Sequence, residues 1–434
     1  MRTMYAAAAA LLLSASTASA DVTQAEIDAA VSGVQPRVIE LRRDFHQHPE
    51  LSNREVRTAD VVARRLRALK LEVKTGLAIT GVAALLKGGL PGPTIALRAD
   101  MDALPVTEQV DLPFKSTVTT QFRGETVGVM HACGHDGHTA ILLGVAEVLA
   151  GMREKLPGQV LFIFQPAEEG PPDGETGGAP RMIKEGLWNI AKPEAVFGLH
   201  LIASLPTGVI GYREGPMMAG SDRFRVVVTG RQTHGSRPWG GIDPVIAAAQ
   251  IMTGLQTIVS RQLDITETPS VISIGAVKGG IRFNIIPDSV EMVGTIRTFD
   301  KAVREDVIRR MERTATSIAA ASGASATIEF GDAPNPPVIN DRALTQRMLP
   351  VFERLVGKDN VRTISLQTTA EDFSYYGQEI PSLFFWVGVT PHDRDPVTAP
   401  FNHSPLFYLD EASLPVGVRA MLTAAVDYLQ TPRR

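Results

Sequence analysis

Gln159-Val-Leu-Phe-Ile-Phe164 runs directly into Gln165-Pro-Ala-Glu-Glu-Gly170. A short, continuous apolar run closed by proline reads as a strand buried on both faces, and such strands belong to parallel sheets covered by helices. Two adjacent carboxylates, Glu168 and Glu169, then stand at the mouth of that sheet. Neighbouring side chains of an extended segment diverge, so one can bind a cation while the other faces a water held there. A solvated acidic turn is the plainer alternative, and the buried strand leading into the pair disfavours it.

Residues 22–69 carry apolar positions at helical spacing, broken at Pro49. Thr94-Ile-Ala-Leu-Arg98 reads as a short strand, followed at once by Asp100-Met-Asp102. Residues 139–149 read as an apolar helix, and Ala195-Val-Phe-Gly-Leu199 as a strand with His200 at its end. Strands alternating with helices predict an α/β architecture around a mostly parallel sheet. Sites in such sheets gather at the carboxyl ends of strands. Asp100, Asp102, Glu168, Glu169 and His200 all fall there.

The pattern changes near Ser221. Residues 222–229, 271–277, 290–298 and 324–330 read as strands, and residues 243–261 and 301–321 as helices. Strand-helix-strand-strand-helix-strand is the ferredoxin-like order, complete in about 110 residues, the size of a domain. Its exit, Asp332-Ala-Pro-Asn-Pro-Pro337, is proline-rich as linkers often are. Beyond it, Leu383-Phe-Phe-Trp-Val387 and then His403 are expected to rejoin the first sheet.

A chain of 434 residues exceeds the size at which one core keeps growing, which also favours two domains. A formal charge of -4 gives no basic stripe to follow a phosphate backbone, so nucleic acid is excluded as a partner. Residues 1–20 form a separate segment: Arg2, an apolar run over residues 6–13, and Ala18-Ser19-Ala20 before Asp21. That is the pattern of a cleaved secretory signal. No later run reaches the roughly 20 apolar residues of a membrane helix. The expectation is a periplasmic or secreted protein without a membrane anchor after cleavage. Export makes the single cysteine informative, because Cys133 has no intramolecular disulfide partner. Its place between His131 and His135 favours metal binding over a buried structural thiol.

Cys133-Gly-His135 sets two candidate ligands two residues apart, with Gly134 and Gly137 permitting close backbone approach. His131 and His138 read better as supporting or packing residues. His200 and His403 complete the candidate set with Glu169, leaving Glu168 free as a base. His46 and His48 precede Pro49 on a helix and are assigned a structural role. Asp102 is a candidate to orient a ligand histidine. Glu371 reads equally as a residue at a helix start, after Thr368 and Thr369.

Over nearly its whole length after residue 20 the chain resembles the aminoacylase and carboxypeptidase G type of metallopeptidase, in its hippurate hydrolase and indoleacetyl-amino acid hydrolase branch. The matching stretches are Arg42-Arg-Asp-Phe-His-Gln-His-Pro-Glu-Leu51, Arg98-Ala-Asp-Met-Asp-Ala-Leu-Pro105, His131-Ala-Cys-Gly-His-Asp-Gly-His138 and Gln165-Pro-Ala-Glu-Glu-Gly170. Gly198-Leu-His200, Asn284-Ile-Ile-Pro-Asp288, Glu371-Asp-Phe373 and Phe401-Asn-His-Ser404 continue the series. The resemblance implies two divalent ions, zinc or manganese with cobalt and nickel as alternatives, held by Cys133, His135, Glu169, His200 and His403. It implies Glu168 as base and acid, His234 as the oxyanion-stabilising residue, and Asn284 and Arg282 as holders of the substrate carboxylate. Asp100 stands where other branches carry a metal-binding histidine.

By the same resemblance the fold is a two-domain, aminopeptidase-like one. A catalytic domain is built from residues 21–220 and 332–434, and a lid and dimerisation domain, residues 221–331, is inserted into it. A homodimer through the lid would let His234 reach the neighbouring subunit's site. One departure is His234-Gly-Ser-Arg-Pro-Trp239, where many relatives have Pro-His; Trp239 offers a flat apolar wall and no acid. The expected reaction is hydrolysis of the amide of N-acyl or N-aroyl amino acids. A carboxypeptidase or dipeptidase of the same architecture is the rival enzyme. A periplasmic metal- or peptide-binding protein without turnover is the rival outside enzymes.

Overall fold

The computed structural model describes residues 21–331 and 334–431. The secretory signal expected at residues 1–20 and the first two residues of the linker lie outside them. Thr23 and Glu26 cap each other reciprocally at the start of α1 (Gln24–Gln47), and α2 (Val56–Ala68) follows. The main sheet has eight strands: β1 (Glu72–Leu77), β2 (Gly81–Lys87), β3 (Leu90–Asp100), β4 (Pro157–Gln165), β5 (Ala195–Pro206), β6 (Ile210–Tyr212), β11 (Val361–Thr363) and β12 (Ser382–Thr390). Strands β7 to β10 form the inserted sheet described below. The order across the main sheet is β1-β2-β4-β3-β5-β12-β6-β11. Pairing is parallel through β4, β3, β5 and β12. It is antiparallel where β1 meets β2, β2 meets β4, and β12 meets β6.

The apolar runs read in the sequence are buried on both faces, as the two-residue period of a strand requires. In β4, Val160, Phe162 and Phe164 join one core while Leu161 and Ile163 join the other. In β12, Leu383, Phe385 and Val387 divide from Phe384 and Trp386 in the same way. The first core is covered by α1, α3 (His135–Gly151) and α7 (Leu414–Gln430), which pack on one another and on the sheet. Nearly every residue of α3 is buried, so this helix needs no polar face.

His200 does not end its strand, contrary to the sequence expectation. Strand β5 continues to Pro206 because β12 stays paired beside it that far. The register pairs Arg98 with Gly198, which puts His200 level with Asp100, the last residue of β3. The histidine thus reaches the carboxyl edge of β3 from inside a longer neighbour.

Residues 220–330 build a second, four-stranded antiparallel sheet from β7 (Gly220–Thr229), β8 (Val271–Gly279), β9 (Ser289–Thr298) and β10 (Ser325–Phe330). Its order is β8-β9-β7-β10, with α4 (Pro244–Gln262) and α5 (Lys301–Ala321) between strands. Phe224, Val226 and Val228 alternate toward the helices, where Ile251 and Leu255 of α4 and Met311 and Ala315 of α5 meet them at four-residue spacing. The last long helix before the main sheet closes is α6 (Arg342–Val356). Among the described residues no helix is long and apolar enough to cross a membrane.

Candidate metal centre

The five expected ligands come together. Cys133 precedes α3 and His135 is its first residue; Gly134 between them takes the left-handed conformation, φ 85°, that turns the chain. Glu168 and Glu169 follow β4 across Ala167, itself at φ 54°, and His403 sits in a loop at φ 72°. Cys133 Sγ lies 3.4 Å from His200 Nε2, and His403 Nε2 lies 3.1 Å from Glu169 Oε1. The ligand atoms of Cys133, His135 and His200 lie within 4.8 Å of one another, and so do those of Cys133, Glu169 and His403. The thiol belongs to both groups, which suits two neighbouring cations.

The histidine tautomers fit that use. Nδ1 of His135 donates to the backbone oxygen of Asp102 at 2.8 Å, and Nδ1 of His200 to that of Leu201 at 2.8 Å. A carbonyl can only accept, so in the neutral ring each Nε2 is left with a lone pair; at His135, where Asp100 and Asp102 favour the protonated ring, a cation would displace the Nε2 proton. Nε2 of His135 is buried without a hydrogen bond, a costly state that a cation relieves. Thiolate, imidazole and carboxylate together suit zinc and similar transition ions.

Electrostatics point the same way. Burial, then Glu169 and Glu168, push the Cys133 thiol well above its ordinary range. Burial would lower the His135 pKa, yet Asp100 and Asp102 outweigh it and raise it to about 10. Burial, then Glu371 and Glu169, hold the Glu168 carboxyl well above the carboxylate range. Negative charge is in excess, and divalent cations would balance it.

Asp102 and His138, two of the supporting residues, are fully engaged. Asp102 accepts from the backbone N–H groups of Glu168 and Glu169, both at 3.0 Å, and from Ser52 Oγ at 2.7 Å. Its carboxylate therefore fixes the turn that carries the glutamate pair, and its backbone oxygen orients His135. His138 donates from Nδ1 to Asp100 at 2.6 Å and accepts the Leu201 N–H on Nε2 at 2.8 Å. With both nitrogens occupied, it packs between the His135 and His200 rings and has no lone pair for a metal. His131 is buried, makes no hydrogen bond, and is lowered to about 3 by burial. His46 is held by Asp136 at 2.8 Å and Glu108 at 3.0 Å, and exposed His48 turns to the Asp44 backbone. The buried bonds of His46 agree with the structural role expected of it, and His48 makes only a contact within its own helix turn.

Family models place the chain. The model described as peptidase family M20/M25/M40 matches residues 96–427. The chain belongs to this family. It is 40% identical over 399 residues to thermostable carboxypeptidase 1 of Saccharolobus solfataricus, covering 92% of this chain and 97% of that one. It is 41% identical over 399 residues to N-acetylcysteine deacetylase of Bacillus subtilis, covering 91% and 97%. The crystal structure of a dinuclear metal-binding peptidase of family M20 from Bacillus subtilis superposes with a TM-score of 0.77 at 38% identity, over 92% of this chain and all of that one. The protein is a metal-dependent amidohydrolase of the M20 family.

In this M20 chain the donors open onto a cavity of about 480 Å³ that also meets Ile202, Met218, Trp386 and Arg297. The guanidinium of Arg297, on β9, is partly buried, feels the charge of Asp222, and makes no hydrogen bond or ion pair among the described residues. Glu371 also lines the cavity. It accepts the Phe373 N–H at 2.9 Å at the start of a helical turn, the role read in the sequence. It also accepts from Arg98 at 2.8 Å. Arg98, wholly buried, further donates to Asp100 at 2.7 Å, Asp372 at 3.1 Å and Gln165 at 2.9 Å. Arg98→Met removes the one cation of that cluster and leaves three carboxylates facing one another. The expected cost is about 3–5 kcal/mol in denaturant unfolding; a loss below about 1 kcal/mol would mean that the carboxylates are neutralised some other way.

The inserted domain's candidates stand together but apart from this cavity. His234 is exposed in a two-residue strand paired with Ile285–Ile286, and the Gly235 N–H donates to the Asn284 backbone at 2.8 Å. Nδ1 of His234 accepts the Ser236 N–H at 3.0 Å, so Nε2–H is the free donor. His234, Asn284 and exposed Arg282 are not part of the cavity wall of their own chain. Trp239 is exposed at 76% on the same domain.

Alanine at Cys133, His135, His200 or His403 should lower metal content from two ions per chain toward one or none, read by elemental analysis, and chelation should inactivate reversibly. Should Cys133→Ala hold two ions as tightly as the parent, the thiol is structural.

Proposed function

We propose that this M20 hydrolase cleaves the amide between an acyl group and an amino acid, with Glu168 as base and acid. The observation that carries the reading is one cavity holding both a carboxylate that takes no hydrogen bond from a described residue, Glu168, beside the donor cluster and a guanidinium in no ion pair among the described residues, Arg297. An amide at the cluster and a free carboxylate on the guanidinium describe an N-acyl or N-aroyl amino acid. We assign to Arg297 the carboxylate-holding role that the resemblance implies for Asn284 and Arg282.

Two divalent cations, when bound, lower the pKa of water toward about 7 and polarise the carbonyl. Glu168 takes the proton of the attacking water and returns it to the departing amine. The Nε2–H of His234 serves the carbonyl oxygen as negative charge develops. Because that histidine stands outside its own chain's cavity, we assign it to the site of a second copy. The inserted domain supports such a dimer: β8 is an edge strand exposing Val271 and Val277, and exposed Val245 and Ile246 lie on α4. The leader-like residues 1–20 support export to the periplasm or medium.

The rival is a carboxypeptidase or dipeptidase, since a peptide's C-terminus offers the same carboxylate. Benzoyl- and acetyl-amino acids should be compared with matched dipeptides under zinc, manganese, cobalt and nickel. We expect kcat/KM for acyl-amino acids to exceed that for dipeptides by at least about tenfold. A reversed ratio makes the protein a peptidase, and no turnover with any metal makes it a binding protein.

A further inference from the structure

A second buried carboxylate holds the turn that carries Glu168. Glu55 is wholly buried at the start of α2, yet its side chain makes no capping bond to that helix. It reaches across the fold instead. Its Oε1 accepts the Ala167 N–H at 2.9 Å, and its Oε2 accepts the Thr80 hydroxyl at 2.6 Å. These two partners meet because β2 and β4 are antiparallel: with Val82 opposite Phe164, the register carries Thr80 back to the Pro166–Ala167 step. Three successive N–H groups are thereby gripped by two carboxylates, that of Ala167 by Glu55 and those of Glu168 and Glu169 by Asp102.

Both ends of this tie adopt backbone conformations that a side chain disfavours. Ala167 stands at φ 54°, and Ala78 and Ile79, just before Thr80, stand at φ 49° and 80°. A β-branched residue such as Ile79 is rarely left-handed. Non-glycine residues persist there only where their surroundings over-determine them, and they gather at functional sites. Asp102 alone does not over-determine the glutamate turn. Its two bonds converge on one carboxylate and make a pivot, about which the chain can rotate as Ala167 relaxes toward negative φ. The bond to Glu55 is the third point of attachment that stops this rotation.

We propose that Glu55, braced by Thr80, is a positioning residue for hydrolysis: it keeps Ala167 left-handed and so aims the Glu168 carboxylate at the proton it must take up. The inference rests on Glu168 as base and acid. Glu169 keeps its own anchor on Asp102, so ion binding does not depend on the tie. Turnover does, because a reacting group misplaced by about 1 Å costs on the order of 10²-fold in rate.

The test measures kcat, KM and ion content for the metal-loaded full chain and for Glu55→Ala, Glu55→Gln, Thr80→Val and Glu168→Gln. Glu55→Ala is expected to lower kcat by about 10- to 100-fold with KM changed by less than about twofold and two ions still bound. Glu55→Gln should recover most of that loss, since its amide oxygen still accepts the Ala167 N–H and its amide nitrogen can donate to Thr80. Thr80→Val removes only the brace, and it carries the test should Glu55→Ala fail to fold. It should lower kcat by about 3- to 10-fold, and add little in the Glu55→Ala background because the two act through one path. Parental kcat in folded Glu55→Ala or in Thr80→Val overturns the proposal. So does a fall in kcat that merely follows lost ions, or a Gln variant as slow as the Ala one. Parental kcat in Glu168→Gln overturns the underlying reading of the base instead.

Discussion

Glu168→Gln should lower kcat by about 10²- to 10⁴-fold while two ions stay bound, because a carboxamide keeps the shape of the side chain but cannot take up a proton. The structure separates the two properties. The backbone of Glu168 and Glu169 is fixed by Asp102, so exchanging one carboxylate oxygen of Glu168 for nitrogen leaves the position of Glu169 untouched. The Glu168 carboxylate itself takes no hydrogen bond from another described residue, whereas the nearby Glu371 is tied to Arg98 and to the Phe373 N–H. Glu371 is therefore no substitute base. Single-turnover kinetics on metal-loaded protein, with ion content measured on the same sample, give the result. Near-normal kcat with both ions present would remove Glu168 from the mechanism and move the search to another water-facing group.

The contrast between those two glutamates also shows what the sequence made legible. The five candidate ligands could be read because each lies in a short motif of unusual chemistry, and the central strands could be read because burial on both faces leaves an unbroken apolar run. Strands β1 and β2 escaped. The first is largely exposed, and the short apolar run of the second, Val82-Ala-Ala-Leu-Leu86, suits a buried helix as well as a strand. Arg98 looked like an ordinary strand residue, since its partners Glu371 and Asp372 arrive from 273 and 274 residues away. Arg297 was missed for a different reason: one cation in an alternating strand reads as the wet face, and only the junction of the two sheets turns it into a cavity wall. The sequence set His138 apart from His135, and the physical ground for doing so, a carboxylate on one nitrogen and a backbone N–H on the other, is a long-range fact.

His234→Ala should fold, bind both ions and lose about 10²- to 10³-fold in kcat, the usual effect of removing one oxyanion donor. Folding should survive because the side chain is exposed and its ring bonds only to the backbone N–H and hydroxyl of the neighbouring Ser236 among the described residues. Metal should survive because His234 belongs to none of the donor groups. The decisive measurement is a mixture with Glu168→Gln, itself inactive. If His234 acts across a two-fold dimer, a hybrid contains one site with intact Glu168 from its own chain and intact His234 from its neighbour. Random exchange of equal amounts makes half of the dimers hybrid, so roughly a quarter of all sites should work. Mixing two dead variants would then restore activity in proportion to the hybrid fraction, which native mass spectrometry of differently tagged subunits can count. Subunit exchange without recovery would leave only movement of the inserted domain over its own cavity, carrying His234 and Asn284 with it as a closing lid.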